Sequence, residues 1–467
     1  MANILEKIVA DKRLEITKHK LALPLEGFIG QLTPSTRSFY EALAVPNAGY
    51  ILECKKASPS KGLIRGDFNL DEIIAAYGPY AACISVLTDE KYFQGTFEYL
   101  EYVRARVTQP VINKDFFVEP YQVYLARYHN ADAILLMLSV LDDEQYTELA
   151  QLAQQFDLDV LTEVSNEEEV HRALALKAKI IGINNRDLRD LSTDLATTER
   201  LAPLIKQAQH ECLTISESGI YTHQDVRRLA PLVDGFLVGS ALMAETDMTQ
   251  AVKKLLYGCI KVCGITREQD ALAIAKSGAS YGGLIFAEKS ARFISKKHAE
   301  QLVKDVAFHY VGVFVNAPVA LVADHAKDLN LVAVQLHGQE DQNYINNLRM
   351  VLPDTCEIWK AKGVVTDAQH LPELNELHVD KFLLDCQIGD KSGGTGQTFS
   401  WRLLENSQYA PEDKARIILA GGINANNVKQ AANTQVAMLD LNSGVESSPG
   451  NKDQVKLKQA FNALRQY

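Results

Sequence analysis

Short apolar runs rich in β-branched residues recur along this chain, separated by segments of helical composition, and their number is the strongest constraint on the fold. Eight fall at about residues 50–54, 83–87, 110–113, 132–138, 158–161, 180–183, 213–216 and 235–238. Eight more fall at about 260–263, 282–286, 310–315, 331–336, 357–360, 382–385, 417–420 and 436–441. Short strands alternating with helices read as βαβ units, and such units build parallel sheets. Eight consecutive units favour a closed barrel over an open doubly wound sheet. A (β/α)₈ barrel takes about 250 residues, so a chain of 467 accommodates two compact ones. The expected class is α/β: two fused (β/α)₈ TIM barrels. The halves are not close copies in sequence, so the repetition is architectural.

Ahead of the first run, Ile4, Leu5, Ile8, Val9, Leu14 and Ile16 recur close to helical spacing, and a second short helix is expected from Ser38 to Leu43. Residues 1–48 therefore read as a helical extension of a first domain, 1–255, followed by a second, 256–467. The junction is expected in a helix near Asp247–Tyr257, with no Pro/Gly/Ser-rich linker.

Bulk properties exclude several classes. The net charge is −11 and no Lys/Arg cluster is present, so nucleic acid is not an expected partner. The N-terminus lacks the apolar core of a signal peptide, and no apolar run approaches the ~20 residues that span a bilayer. The seven cysteines are odd in number and irregularly spaced, which suggests no disulfide framework and fits a reducing cytoplasm. Cys259 and Cys263 form a C-x₃-C pair, but no second ligand pair follows at zinc spacing, so no metal is expected. Small-molecule partners and a monomer are the expectation.

In barrels of this type the active site lies at the C-terminal ends of the strands, and phosphate often binds at the loops after strands 7 and 8. Small residues there let backbone N–H groups approach phosphate oxygens. The first half carries Ser216-Glu217-Ser218-Gly219 and Gly239-Ser240 at those places. The second carries Ala420-Gly421-Gly422 and Asn442-Ser443-Gly444. Two such turns in each half point to two phosphate sites.

Ionisable residues stand at successive strand ends of the first half. Glu53 and Lys55 share a face at strand 1, and Lys114 ends strand 3. Glu163 ends strand 5, Asn184 and Arg186 follow strand 6, and Glu217 ends strand 7. Charges facing a barrel interior are costly unless they pair or work, so this ring reads as an acid–base site. The segments ECKKASPSKG, LTDEKYFQG, KDFF, LTEVSNEEE, GINNRDL, SESGI and LVGSALM, in that order, resemble indole-3-glycerol-phosphate synthase over essentially residues 1 to 255.

That resemblance implies closure of an indole ring on an anilino-sugar phosphate, with loss of carbon dioxide and water. It makes Lys114 the general acid, with an expected pKa lowered by burial beside other cations. It pairs Lys55 with the substrate carboxylate and gives Glu163 and Glu53 the proton movements, without saying which acts at which step. Asn184 and Glu217 would position the substrate. Arg186, Ser218, Gly219, Gly239 and Ser240 would line the phosphate side, with Ser58 also in the binding set. Phe93, Phe116, Leu135 and Leu188 are candidates for apolar walls around the aromatic ring, or for ordinary core.

In the second half Cys263 ends strand 1 and Asp385 ends strand 6, where the two can face each other across a barrel mouth as base and acid. Cys386 points away. A cysteine base calls for a lowered pKa, which the positive field of a phosphate site would help supply. The segments KVCGIT, GLIFAEKSARFIS, VGVFVN, VQLHG, LLD, GGTGQTF, LAGGIN and DLNSGVE resemble phosphoribosylanthranilate isomerase over about residues 256 to 467. The resemblance implies an Amadori rearrangement with Asp385 as acid and Cys263 as base. It sets Arg292 on the anthranilate carboxylate, His337 and Asp440 as positioning groups, and Gly421, Gly422, Ser443 and Gly444 around the phosphate. The glycine-rich stretch 389–396 would close over substrate, or form a disordered surface loop.

The two resemblances together imply a bifunctional enzyme of tryptophan biosynthesis without metal or organic cofactor. A different pair of sugar-phosphate barrels, such as the isomerases of histidine synthesis, would use two aspartates on strands 1 and 5, which Cys263 with Asp385 argues against. A non-catalytic scaffold would have lost an acid or a base, and both halves keep theirs.

Overall fold

The structure is a computed structural model that describes residues 4–388, 391–392, 396–405 and 409–466. It divides into two compact units, Met1–Val252 and Lys253–Tyr467, at a point within the helix Met248–Tyr257.

In the first unit eight parallel strands form a closed barrel: β1 (Gly49–Cys54), β2 (Cys83–Leu87), β3 (Val111–Lys114), β4 (Ala133–Met137), β5 (Asp159–Val164), β6 (Ile180–Asn184), β7 (Leu213–Glu217) and β8 (Gly235–Val238). Closure comes from β1, which pairs with both β2 and β8. Alternation along each strand sends one set of side chains inward. Ile51, Cys83, Ile112, Leu135, Leu161, Ile215 and Leu237 belong to one buried cluster, which Leu5, Ile8, Phe39 and Leu43 of the extension join.

The extension serves both ends of this barrel. Helix α1 (Ile4–Ala22) buries Leu5, Ile8, Lys12 and Ile16, one stripe at helical spacing. Its Ile4 and Ile8 line the cavity at the C-terminal ends of the strands. Leu14, expected on that stripe, is exposed and falls on the solvent side. Helix α2 (Phe39–Leu43), N-capped by Ser38, lies at the opposite end. The Asp159 carboxylate, at the start of β5, accepts from the Phe39 and Tyr40 N–H groups at 2.7 and 2.9 Å and from the Ser38 hydroxyl at 3.1 Å. An anion at a helix N-terminus contributes about 1 kcal/mol.

The second unit repeats the plan with β9 (Ile260–Val262), β10 (Tyr281–Ile285), β11 (Tyr310–Phe314), β12 (Ala333–Leu336), β13 (Glu357–Val365), β14 (Lys381–Ile388), β15 (Ile417–Leu419) and β16 (Met438–Leu441). Here β9 pairs with β10 and β16, and β13 with β12 and β14, closing the ring. Val311, Ala333, Trp359, Leu383, Ile418 and Met438 fill the interior. All sixteen apolar runs of the sequence are barrel strands. Most of the 389–396 stretch lies outside the described residues.

Candidate active sites at the two barrel mouths

One cavity at the strand ends of the first barrel brings the sequence-predicted residues together. Glu53, Lys55, Ser58, Phe93, Lys114, Phe116, Glu163, Asn184, Arg186, Ser218, Gly219, Gly239 and Ser240 all line it. Leu135 and Leu188 join Phe93 and Phe116 there, with the two phenyl rings 6.1 Å apart.

At its centre the Lys114 ammonium donates to Glu217 Oε2 at 2.6 Å and lies 4.0 Å from Glu163 Oε2. Burial by itself would lower the ammonium, but Glu217, Glu53 and Glu163 outweigh it and hold Lys114 above its ordinary value. This corrects the expectation of a lowered Lys114, because its neighbours are anions rather than cations. Burial pushes the Glu163 carboxyl up to about 7 and Glu217 adds to the shift, while Lys114 and the Asn184 amide, which donates at 3.0 Å, oppose it. Glu53 sits lower than an ordinary carboxyl: burial raises it, but Lys55, 2.5 Å away, and Lys114 win. A carboxyl near 7 beside a held ammonium is suited to proton transfer at neutral pH.

The phosphate-side turns have the required backbone. Ser218 and Gly219 both have positive φ, 66° and 77°. Any side chain at Gly239 would come within 2.4 Å of Glu53 Oε1, so glycine lets strand 8 pass the carboxylate.

Reasoning from sequence missed a second buried charge cluster beside this cavity. Lys12 reaches Glu15, Asp89 and Asp115 at 2.8, 2.9 and 2.8 Å and is 1% exposed. Asp89 and Asp115 line the cavity, and Asp115 directly follows Lys114. The available signal was a lysine in register with Leu5, Ile8 and Ile16.

In the second barrel Cys263, Asp385, His337 and Asp440 converge on the mouth. His337 Nε2 lies 3.8 Å from Asp385 Oδ2. Burial and the neighbouring Asp440 push Asp385 up to about 7, against the Cys386 N–H and Lys261. Burial, helped by Lys261, pushes His337 down to about 4, so its ring is neutral at pH 7. Cys386 is fully buried away from the mouth. Burial raises the Cys263 thiol, and Lys261 opposes the shift without cancelling it. The expected lowering of Cys263 is thus not present, because the sulfur is enclosed.

Arg292 is already engaged. Its guanidinium donates to both Glu446 carboxylate oxygens at 2.8–3.1 Å, and Lys452 donates to Glu446 at 2.8 Å. Gly421 and Gly422 have φ of 87° and 63°, and a side chain at Gly421 would approach Asp385 Oδ1 to 2.9 Å. Gly444 packs against the Ile423 carbonyl, next to Ser443. Lys261, Gln335, Glu340, Lys360, Glu446 and Lys452 are among the buried polar residues of this barrel that sequence reasoning passed over.

Two (β/α)₈ barrels, each with its own acid–base site, define a fused pair of barrel enzymes. Residues 5–255 match the family model described as indole-3-glycerol phosphate synthase, and residues 260–463 match that of N-(5'phosphoribosyl)anthranilate (PRA) isomerase. The tryptophan biosynthesis protein TrpCF of Vibrio cholerae serotype O1 is 56% identical over 467 residues, covering 100% of this chain and 97% of that protein. The protein of the same name from Salmonella typhi is 51% identical, covering 100% of each. The solved phosphoribosyl anthranilate isomerase of Thermus thermophilus is 29% identical and covers 44% of this chain and 98% of that one, with a TM-score of 0.39. The chain belongs to the indole-3-glycerol phosphate synthase family through its first barrel and to the phosphoribosylanthranilate isomerase family through its second, and is a bifunctional enzyme of tryptophan biosynthesis, a decarboxylating lyase and an isomerase. Among the described residues no helix is long and apolar enough to cross a membrane.

Proposed function

We propose that the two activities reside in separate sites, the lyase in residues 1–255 and the isomerase in 256–467, and that the second barrel acts first. There Asp385 protonates the ribose ring oxygen of N-(5-phosphoribosyl)anthranilate, the ring opens to a Schiff base, and Cys263 removes the C2′ proton to give an enolamine that tautomerises to 1-(2-carboxyphenylamino)-1-deoxyribulose 5-phosphate. The near-neutral carboxyl of Asp385 suits it to hold that proton. Arg292, oriented by Glu446, takes the anthranilate carboxylate. His337 and Asp440 position the sugar. Gly421, Gly422, Ser443 and Gly444 receive the phosphate.

In the first barrel Lys114 protonates the carbonyl oxygen as the aromatic ring attacks, and Lys55 holds the carboxylate that leaves as carbon dioxide. Glu163 and Glu53 move protons during decarboxylation and dehydration. Asn184 and Glu217 position the chain of the substrate. Arg186, Ser218, Gly219, Gly239 and Ser240 take the phosphate beside Ser58, and Phe93 and Phe116 wall the ring. The observation that carries this reading is that Lys114, bonded to Glu217, and Glu163 line one cavity together with the apolar wall.

We assign the chain no nucleic-acid partner and place it in the cytoplasm as a monomer, since each site is completed by residues of its own barrel. Crossed variants test the assignment. Lys114→Ala is expected to lower ring closure by about 10³-fold and leave isomerisation unchanged, and Cys263→Ala to do the reverse, the usual scale for a lost acid or base. Loss of both activities from either change in a folded protein would refute separate sites. Sedimentation at micromolar concentration checks the monomer.

A further inference from the structure

Lys261 is a buried ionisable group that the isomerisation scheme does not use. It lies in the middle of β9 and is 0% exposed. Cys259, Lys261 and Cys263 alternate on the inward face of that strand. Cys259 packs against the apolar interior formed by Val311, Trp359 and Leu383, and Cys263 reaches the mouth. An ammonium between them costs several kcal/mol in desolvation unless partners compensate.

Those partners are few and specific. Asp440, the register neighbour of Lys261 on β16, accepts one hydrogen bond from Nζ at 2.7 Å through Oδ2. Asp440 Oδ1 is buried with no protein partner. Cys263, two residues on along the same inward face, is the next polar side chain of the strand, and the Lys261 charge favours its ionised form. The remaining charged groups around Cys263 come from other elements. Asp440 disfavours a thiolate, and Lys452, from the hairpin after β16, favours one. Arg292 and Lys452 are both tied to Glu446. Asp385, from β14, and a neutral His337, just past β12, also lie within reach of the Lys261 charge.

We propose that Lys261 is a positioning residue for isomerisation: held by Asp440, its ammonium is the counter-ion of the thiolate through which Cys263 acts as base. The thiol ionises to solvent, the thiolate takes the C2′ proton and returns to the neutral thiol, and Lys261 stays protonated throughout. This rests on Cys263 being the base, and the experiment separates the two ideas.

The full-length Lys261→Met variant is compared with the parent in two measurements. One is the pH dependence of isomerisation kcat/KM. The other is the pH dependence of Cys263 alkylation by iodoacetamide, quantified on its peptide, which needs no catalysis. The thiol midpoint is expected to rise by about one pH unit or more in both, with isomerisation near pH 7 falling about tenfold and KM changing less than about twofold. An unshifted alkylation midpoint overturns the proposal. A shifted midpoint with unaltered isomerisation keeps the counter-ion and overturns Cys263 as base. Because Lys261→Met strands Asp440, the Lys261→Met/Asp440→Asn double variant removes both charges. Its midpoint is expected above the parent's and below the single variant's, since Asp440 opposes the thiolate. A parental profile in the double variant would make the pair purely structural and refute the proposal.

Discussion

The two mouths solve one electrostatic problem with different parts. In the first barrel a carboxyl near 7, Glu163, sits with a second carboxylate, Glu217, and a lysine, Lys114. In the second, a carboxyl near 7, Asp385, sits with Asp440 and Lys261. Burial is the larger cause of each raised carboxyl and the neighbouring acid comes next. The strands differ: β3, β5 and β7 supply one set, and β9, β14 and β16 the other. The lysines also differ. Lys114 is partly exposed to the cavity, whereas Lys261 is fully buried. A closed barrel thus fixes where charge can be placed, and the depth of the lysine decides whether it is open to the cavity or enclosed among side chains.

The sharpest test of that parallel is the raised carboxyl itself. Asp385→Asn keeps the shape and removes the proton, so isomerisation is expected to fall about 10³-fold with ring closure intact. Its pH profile carries the sign. The productive form has a proton on Asp385 and none on Cys263. Because the carboxyl value, about 7, lies below the raised thiol, that form is a minority. Its share grows with pH below 7, is level between the two values, and falls above the thiol's. Stopped assays from pH 5 to 10 should show the rise levelling near 7 in the parent but continuing through 7, up to the thiol's value, in Asp385→Asn. A break that survives near 7 would assign it to another group.

Much of this was legible from sequence, for a physical reason. Strand periodicity and strand-end position are local, so all sixteen strands, the Lys114–Glu163–Glu217 ring and the strand-end positions of Cys263 and Asp385 follow from counting. The signs of the pKa shifts were not legible. Lys114 was expected low and is high, since the nearest groups are carboxylates contributed from β1, β5 and β7. Cys263 was expected low and is high, because enclosure outweighs the lysine two residues earlier. Lys261 and Lys12 were passed over since a lone lysine in an apolar stripe reads as an exposed exception until its distant partners are known.

Lys12 sets the first unit apart, because it lies on a helix that precedes the barrel and reaches the cavity at the strand ends. Burial lowers this ammonium, but Asp115, Asp89 and Glu15 hold it above its ordinary value, so it stays charged at any assay pH. Lys12→Met leaves Asp89 and Asp115 buried without their cation, a change that costs about 3–5 kcal/mol. Ring-closure activity should therefore be lost at a lower temperature in a heat-inactivation series, with isomerisation persisting at the parental temperature. Equal loss of both activities would show that the two barrels do not fail independently.

The smallest expected effect concerns Glu446, which has no counterpart among the cavity-lining residues of the first barrel. It holds Arg292 by two hydrogen-bonded oxygens and also takes Lys452. Burial raises its carboxyl, yet Arg292 and Lys452 bring it below the ordinary value, so it is ionised at neutral pH. If Arg292 meets the anthranilate carboxylate, Glu446 both aims the guanidinium and competes with the substrate for it. Glu446→Gln turns one oxygen into an amide donor facing two cations, so Arg292 must tilt away. Aim is a binding property, so KM for isomerisation should rise about tenfold while kcat changes less than about threefold. A fall in KM instead would mean that competition outweighs aim, and that Glu446 restrains substrate binding rather than preparing it.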